Sequence, residues 1–273
     1  MIDILLPVYN GEKYLREQIE SILHQSYPDW KLLIRNDGST DGSDEIIRRF
    51  CAKYPDKIFQ IYEPSSNIGL VESLNILLHN SSSEYVMFAD QDDVWLNDKL
   101  ELSLSQMLYL ETANLDKPIM ICTDVKCVNN EMEILHESFF KSMRFIDGVV
   151  GNVEKMLALN EVQGCTIMIN RTLIPFIYPI PKFMKIHDMW IGIHAANFGK
   201  AEYLHHQTLL YRQHDSNTVG AIEVGRKYYF KRFGSSMQTI LQYMRIKSKV
   251  KFEFSIFRVF YYKFKFMFVR LRK

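Results

Sequence analysis

Residues 2–43 read IDILLPVYNGEKYLREQIESILHQSYPDWKLLIRNDGSTDGS, and the period of their apolar positions changes twice. Ile2 to Val8 is a near-continuous apolar run, the mark of a strand buried on both faces. After a turn at Asn10 and Gly11, Leu15, Ile19, Ile22 and Leu23 follow the i, i+4, i+7, i+8 spacing of a helix. Trp30 to Arg35 returns as a strand and closes in the Asp-, Gly-, Ser- and Thr-rich turn from Asn36 to Ser43. This succession is a βαβ unit, the building element of a parallel sheet covered by helices.

The pattern continues downstream. Ser39 or Thr40 is placed to cap the next helix, whose inner face carries Ile46, Ile47, Phe50 and Tyr54. Ile58 to Tyr62 reads as a third strand and Leu70, Leu74, Leu77 and Leu78 as a third helix. Tyr85 to Ala89 is the fourth strand, ending in Asp90, Gln91, Asp92 and Asp93. Farther on, Ile119 to Val128, Thr166 to Ile169 and Thr208 to Arg212 read as strands, and Met189 to Asn197 as a helix. The fold class is therefore α/β, and in open sheets of this class ligands bind beyond the carboxyl ends of the strands. Asn10, Asp37 and the cluster Asp90 to Asp93 all fall at such ends.

With 273 residues, 47% hydrophobic and 24% charged, the chain has enough apolar content for one large domain plus an appendage, and is neither disordered nor fibrous. The net charge of +1 conceals an asymmetry: residues 226–273 hold 14 Lys and Arg against Glu253 alone, leaving 19 bases and 31 acids before them. An acidic body of residues 1–220 with a basic, aromatic extension of residues 221–273 is the expected organisation. Cys51, Cys122, Cys127 and Cys165 lack the spacing of a disulfide framework or a zinc site. No secretory leader and no apolar run of about 18 residues is present, so a cytoplasmic chain that does not span a membrane is expected.

Three carboxylates within four residues at a strand end repel one another unless a cation offsets them, and Mg²⁺ or Mn²⁺ prefers such oxygen ligands. The competing reading is a solvated acidic turn that caps the helix near Asn97. Asp37 at its strand end is suited to accept the imide N–H of a uracil or thymine ring, or to serve the turn itself. Asp188 is either a general base or the N-cap of the helix that follows it.

The segments LLPVYNGEKYL, NDGSTDGS, NIGL, FADQDDVW, HDMW and YRQHDSNTVG, in this order, resemble the family 2 glycosyltransferases, in the rhamnosyltransferase-like branch. The resemblance spans residues 2 to about 220. It implies a GT-A fold, a Rossmann-like mixed sheet flanked by helices, and inverting transfer from a nucleotide diphosphate sugar such as dTDP-rhamnose or a UDP-sugar to a glycan or lipid-linked acceptor. By the same resemblance Pro7, Tyr9 and Glu12 line the nucleotide pocket, and Asp37 binds the base. Asp90 and Asp92 take the DXD positions, with Asp92 the direct ligand of Mn²⁺ or Mg²⁺ and Asp90 nearer the ribose. Asp188 matches the general base, while Arg212 and His214 close over the diphosphate, with His214 also in the metal set. Gln91 departs from the small residue usual between the two aspartates. Gly164 and Cys165 fall where the family shapes its acceptor pocket, although a close-packed strand would need a small residue there too.

The extension interleaves its bases with aromatics such as Phe257, Tyr261 and Phe264, a combination that fits either nucleic acid or an anionic membrane surface; the lipid-linked acceptors that the resemblance implies favour the membrane. Helices packed on the body or on a second subunit of a homo-oligomer are the alternative. A catalytically silent sugar-nucleotide-binding or scaffold protein of the same fold would be expected to have lost a carboxylate, yet Asp37, Asp92 and Asp188 are all present. An oxidoreductase would carry GxGxxG after the first strand, where VYNGEKYL stands instead.

Overall fold

A computed structural model describes residues 1–62, 66–184, 187–214 and 236–272. Strand β1 (Ile2–Val8) pairs in parallel with β2 (Trp30–Asn36) on one side, and β2 carries β3 (Ile58–Gln60) on its outer edge. Helices α1 (Leu15–Leu23), α2 (Ser43–Lys53) and α3 (Leu70–Asn80) alternate with these strands and lead to β4 (Tyr85–Phe88), which pairs in parallel with the other side of β1.

Past β4 the sheet changes direction. After the short β5 (Val94–Trp95) and α4 (Lys99–Ala113), β6 (Ile119–Val128) forms a hairpin with β7 (Ile134–His136). Short helices α5 (Phe139–Ser142) and α6 (Val153–Ala158) lead to β8 (Met168–Asn170), which is antiparallel to both β4 and β6 and so joins the two halves of the sheet. Then α7 (Ile174–Ile177) and α8 (His187–Phe198) precede β9 (Lys200–Arg212), parallel to β6 and antiparallel to β5. The order β3-β2-β1-β4-β8-β6-β9-β5 is a mixed sheet, as expected.

Because side chains alternate along a strand, β1 feeds two cores. Ile2, Ile4, Leu6 and Val8 pack with α1, α2 and α4 through Leu15, Ile19, Phe50 and Met107. Leu5 faces the other way, toward Leu74, Leu77, Met156 and Ile191 of α3, α6 and α8.

Some boundaries differ from expectation. The third strand stops at Gln60 rather than Tyr62, and Thr166 belongs to a 3₁₀ turn, Gly164–Thr166, that precedes β8. β9 begins at Lys200 instead of Thr208, since its first half carries exposed His205 and His206 and shifts register against β6, which breaks the apolar pattern. Helix α2 is capped by neither Ser39 nor Thr40. Gly42 holds the N-cap position, and the two hydroxyl residues bond to Asn10.

The extension forms α9 (Ser236–Lys247) and α10 (Ile256–Arg272). Tyr243, Ile246, Phe254, Val259 and Phe266 are buried in the same core as α6 and α8, and the Tyr243 hydroxyl donates to the Leu157 carbonyl at 2.8 Å. The expected boundary at 220/221 and Tyr228, Tyr229 and Phe230 lie outside the described residues. Among the described residues no helix is long and apolar enough to cross a membrane.

Candidate active site

The loops after β1 and β2 interlock. Asn10 takes the left-handed φ of 50° that Asn tolerates better than most residues, which lets its N–H donate to Ser39 Oγ at 2.9 Å while its Oδ1 accepts from the Thr40 N–H at 2.8 Å. The Glu12 carboxylate accepts from the Gly42 N–H at 2.9 Å, at the N-terminus of α2, where an anion is favoured. A Cβ on Gly42 would meet that carboxylate at 2.5 Å. Half-buried Pro7 lies beside Arg35 in the β1–β2 register, and the Tyr9 side chain is 49% exposed at the mouth of these loops.

Gln91 explains its own departure from the small residue usual at its position. Its amide accepts from the Tyr9 N–H at 2.8 Å and donates to the Tyr9 carbonyl at 3.0 Å, tying the end of β4 to the end of β1.

Asp37 is buried at the end of β2, where it pairs with Arg35, itself fully buried, and accepts from the N–H groups of Ile68 and Gly69, each at 2.8 Å. Of a carboxylate's roughly four acceptor sites, these donors take three. The remaining one lies on Oδ2, which among the described residues accepts from Gly69 alone.

The acidic cluster divides into an outer and an inner part. His214 Nε2 lies 2.9 Å from Asp92 Oδ2, with the two side chains 9% and 19% exposed. Asp93 is fully buried; it accepts from the Arg212 N–H at 3.3 Å through Oδ1, and its Oδ2 meets no nitrogen or oxygen donor among the described residues. Burial and the neighbouring Asp92 push Asp90 up to about 7, and burial with both neighbours pushes Asp93 well above the usual carboxylate range. A divalent cation bound there would offset the repulsion that raises these groups and favour their ionised forms.

Two donor sets are available for it. Asp90, Asp93 and Cys165 offer ligand atoms within 4.8 Å of one another, but burial holds the Cys165 thiol protonated and Asp93 is enclosed. Asp92 and His214 present a carboxylate oxygen and an imidazole nitrogen 2.9 Å apart, both less enclosed than Asp93, which is the better fit to Mg²⁺ or Mn²⁺. Beneath the cluster sits Lys99, also fully buried, whose Nζ donates to Thr208 Oγ1 at 3.1 Å. Burial lowers its pKa to about 8.

Arg212 is 2% exposed, and its guanidinium is engaged by protein groups: the Asp92 carbonyl at 3.0 Å, the Asn130 carbonyl at 3.2 Å and the Glu17 carboxylate. It also lies over the Tyr14 ring, 4.7 Å from the centroid, and Tyr14 stacks on His214 at 5.0 Å. Arg212 thus ties the Asp92 backbone to the Tyr14 ring that stacks on His214.

Asp188 stands in the first turn of α8, 6% exposed, with its Oδ1 accepting from Asn160 Nδ2 at 2.9 Å. Burial raises it to about 7, and the charge of Asp90 adds a smaller contribution. A carboxyl titrating near neutrality is suited to proton transfer. Next to it His187 is buried against Phe88, and burial lowers its pKa to about 4, so the ring is neutral. A Cβ on Gly164 would come within 2.4 Å of His187 Nε2. Gly164 is thus explained by packing, and Cys165, 1% exposed beside Asp90 and Asp93, lies behind the carboxylates. Gly164 is half-buried and Cys165 buried, and both sit in a 3₁₀ turn, not a strand. Asn160 and Lys99 were missed from the sequence: nothing local marks one amide or one lysine as adjoining a carboxylate distant in the chain.

Residues 3–149 match the sequence profile of Glycosyl transferase family 2. An uncharacterized glycosyltransferase of Haemophilus influenzae is 43% identical over 108 residues, which is 40% of this chain and 42% of the relative, so the match spans about two fifths of that protein's length. The dTDP-rhamnosyl transferase RfbG of Shigella flexneri is 26% identical over 245 residues, covering 84% of this chain and 78% of the relative. Among solved structures, the mannosyltransferase PcManGT of Pyrobaculum calidifontis, in complex with GDP-Man and Mn²⁺, superposes with a TM-score of 0.61 at 18% identity, over 89% of this chain and 64% of that one. The sheet order, the site at the strand ends and these likenesses agree: the chain belongs to glycosyl transferase family 2 and has the GT-A fold.

Proposed function

We propose that the chain is an inverting, divalent-cation-dependent glycosyltransferase that moves a sugar from a nucleotide diphosphate donor to a hydroxyl of a glycan or lipid-linked acceptor in surface polysaccharide synthesis. The observation that carries this reading is the pair of polar groups at 2.9 Å, Asp92 at the end of β4 and His214 past β9, together with buried Asp188 in the first turn of α8, whose Oδ1 is held by Asn160. Metal ligands and a base must face one reacting carbon from two sides in an inverting displacement, and these carboxylates come from two separate elements. Likeness to RfbG favours dTDP-rhamnose as donor, and likeness to PcManGT favours Mn²⁺.

In this reading Pro7 and Tyr9 line the base, and the remaining acceptor site of Asp37 takes a pyrimidine imide N–H. Asp92 and His214, with Asp90 adjacent, would hold Mn²⁺ or Mg²⁺, which supplies charge neutralisation for the departing diphosphate. Arg212, Tyr14 and Gln91 keep those ligands in place. Asn160 holds one oxygen of Asp188, leaving the other to take the acceptor's proton. The basic extension brings the site to an anionic membrane surface, where lipid-linked acceptors reside. Incubation with a panel of UDP-, dTDP- and GDP-sugars in Mn²⁺ or Mg²⁺, reading nucleotide release, tests the proposal. Release from a restricted set of donors is expected; none from any donor with either metal overturns it.

A further inference from the structure

Helix α10 buries Val259, Phe266 and Arg270 on one side. At roughly 100° per residue the opposite side is centred on Phe257, Tyr261, Phe264 and Phe268. These four rings are 90%, 60%, 51% and 43% exposed. They fall within an arc of about 60° and run along about 16 Å of helix. An ordinary solvated helix face carries polar residues at such positions, so a contiguous row of exposed rings marks a contact surface.

The charges around the row decide what it meets. Arg258 and Lys265 flank it on α10, and Lys249 and Lys251 are exposed at the turn from α9. The lone acid of residues 226–273, Glu253, is paired with Lys247 at 3.0 Å. A second copy of this face would bring base against base, whereas an anionic partner complements it. Rings at headgroup depth with bases beside them are the arrangement of an interfacial helix.

We propose that Phe257, Tyr261, Phe264 and Phe268 form a lipid-contacting face that lays α10 in the headgroup region of an anionic bilayer while its inner side stays packed on the body. The inference rests on the membrane element of the proposed function, deepens it by naming the face, and is independent of the transfer chemistry. The inner side meets Glu161, the residue after Asn160, so a docked α10 holds the Asp188 region at a fixed height above the bilayer.

The test is co-sedimentation of the full chain with phosphatidylcholine vesicles, with and without phosphatidylglycerol, at rising salt. Binding should require phosphatidylglycerol and should weaken without vanishing as salt rises, because screening acts on charges and not on buried rings. The double variant Phe257→Ser, Phe264→Ser should lose about a hundredfold in partitioning, as expected for two withdrawn rings, with unchanged melting temperature and nucleotide release. Arg258→Gln with Lys265→Gln should remove part of the salt-sensitive binding only. Equal vesicle binding by wild type and the Phe257→Ser, Phe264→Ser variant overturns the proposal. So does a wild-type dimer that this variant dissociates, or binding to an oligonucleotide that displaces the vesicles and disappears in salt. A chain that binds vesicles but releases no nucleotide sinks the transferase reading alone, and one that releases nucleotide without binding sinks the lipid face alone.

Discussion

His214 Nε2 and Asp92 Oδ2 lie 2.9 Å apart, linking the residues just past β9 to the loop after β4 across 122 positions of sequence. Both partners are steadied from outside the pair, His214 by the Tyr14 ring and Asp92 by Arg212 on its carbonyl. In the proposed function a pair held this way would exchange its mutual contact for a shared cation with little rearrangement. Mn²⁺ should therefore raise the melting temperature of the wild type by an amount equivalent to about 2.7 kcal/mol at a hundredfold excess over its Kd. The shift should vanish in Asp92→Ala and His214→Ala, with turnover of Asp92→Ala near background. An undiminished Mn²⁺ shift in both variants, or full wild-type activity in excess chelator, would show that the pair holds no metal.

Asp188 must be ionised to accept a proton, and burial raises it to about 7. The sign is then fixed: kcat/KM should rise with pH along a one-proton limb centred near or somewhat below that value, because a cation at Asp90 and Asp92 offsets the negative charge that helps to raise Asp188. Asn160 donates to the carboxylate and favours its charged form, so Asn160→Ala should move the limb upward. Asp188→Asn should lower kcat by at least about a hundredfold, a share typical of general base catalysis, with donor affinity retained. A flat profile across about pH 5.5 to 8.5 would remove Asp188 from the role.

Gly164→Ala separates packing from acceptor recognition. The added Cβ would sit 2.4 Å from Nε2 of the buried His187 ring, and overpacking of this kind costs about 1–3 kcal/mol. A lower melting temperature with acceptor KM unchanged is expected. The reverse, an unchanged melting temperature with a shifted acceptor KM, would return Gly164 to the acceptor pocket.

The parallel half of the sheet was legible because β1, β2 and β4 are mainly apolar runs that end in polar turns, and the polar ends hold the candidate site. The antiparallel half was less so. β8 is only three residues long, and β9 starts with half-exposed polar residues whose pairing to β6 supplies what their pattern lacks. In the site, Asp90, Asp92 and Asp188 stood out by type and place, but the partners that steady or balance them, Asn160, Tyr14 and Lys99, are set by tertiary contact alone. The extension's composition was plain and its geometry was not: rings line both the buried and the exposed side of α10, so no apolar stripe distinguishes packing from surface.

The extension also supplies the fold with a buried ion pair. Arg270 of α10, 3% exposed, meets the Glu161 carboxylate, and Glu161 accepts from the Ile146 N–H. Removing residues 221–273 would take this arginine and the rings of Tyr243, Phe254 and Phe266 out of the core, so the truncated chain should unfold or aggregate and not remain a free catalytic domain. A finer test keeps the helix. Arg270→Met leaves a buried carboxylate without its cation, a change that typically costs about 3–5 kcal/mol. Burial already pushes Glu161 up to about 7 against the pull of Arg270, so without the arginine it goes higher. A carboxyl whose folded pKa lies above its unfolded value binds more protons in the folded state, and stability therefore falls as pH rises between the two values. The melting deficit of Arg270→Met should be small near pH 5, where Glu161 is protonated in the variant, and grow steadily toward pH 8. Glu161→Gln in the same chain should flatten that trend by removing the titrating group. Equal melting temperatures for wild type and Arg270→Met at pH 8 would mean that the pair does not anchor α10, and the packing of Val259 and Phe266 would have to hold the helix without it.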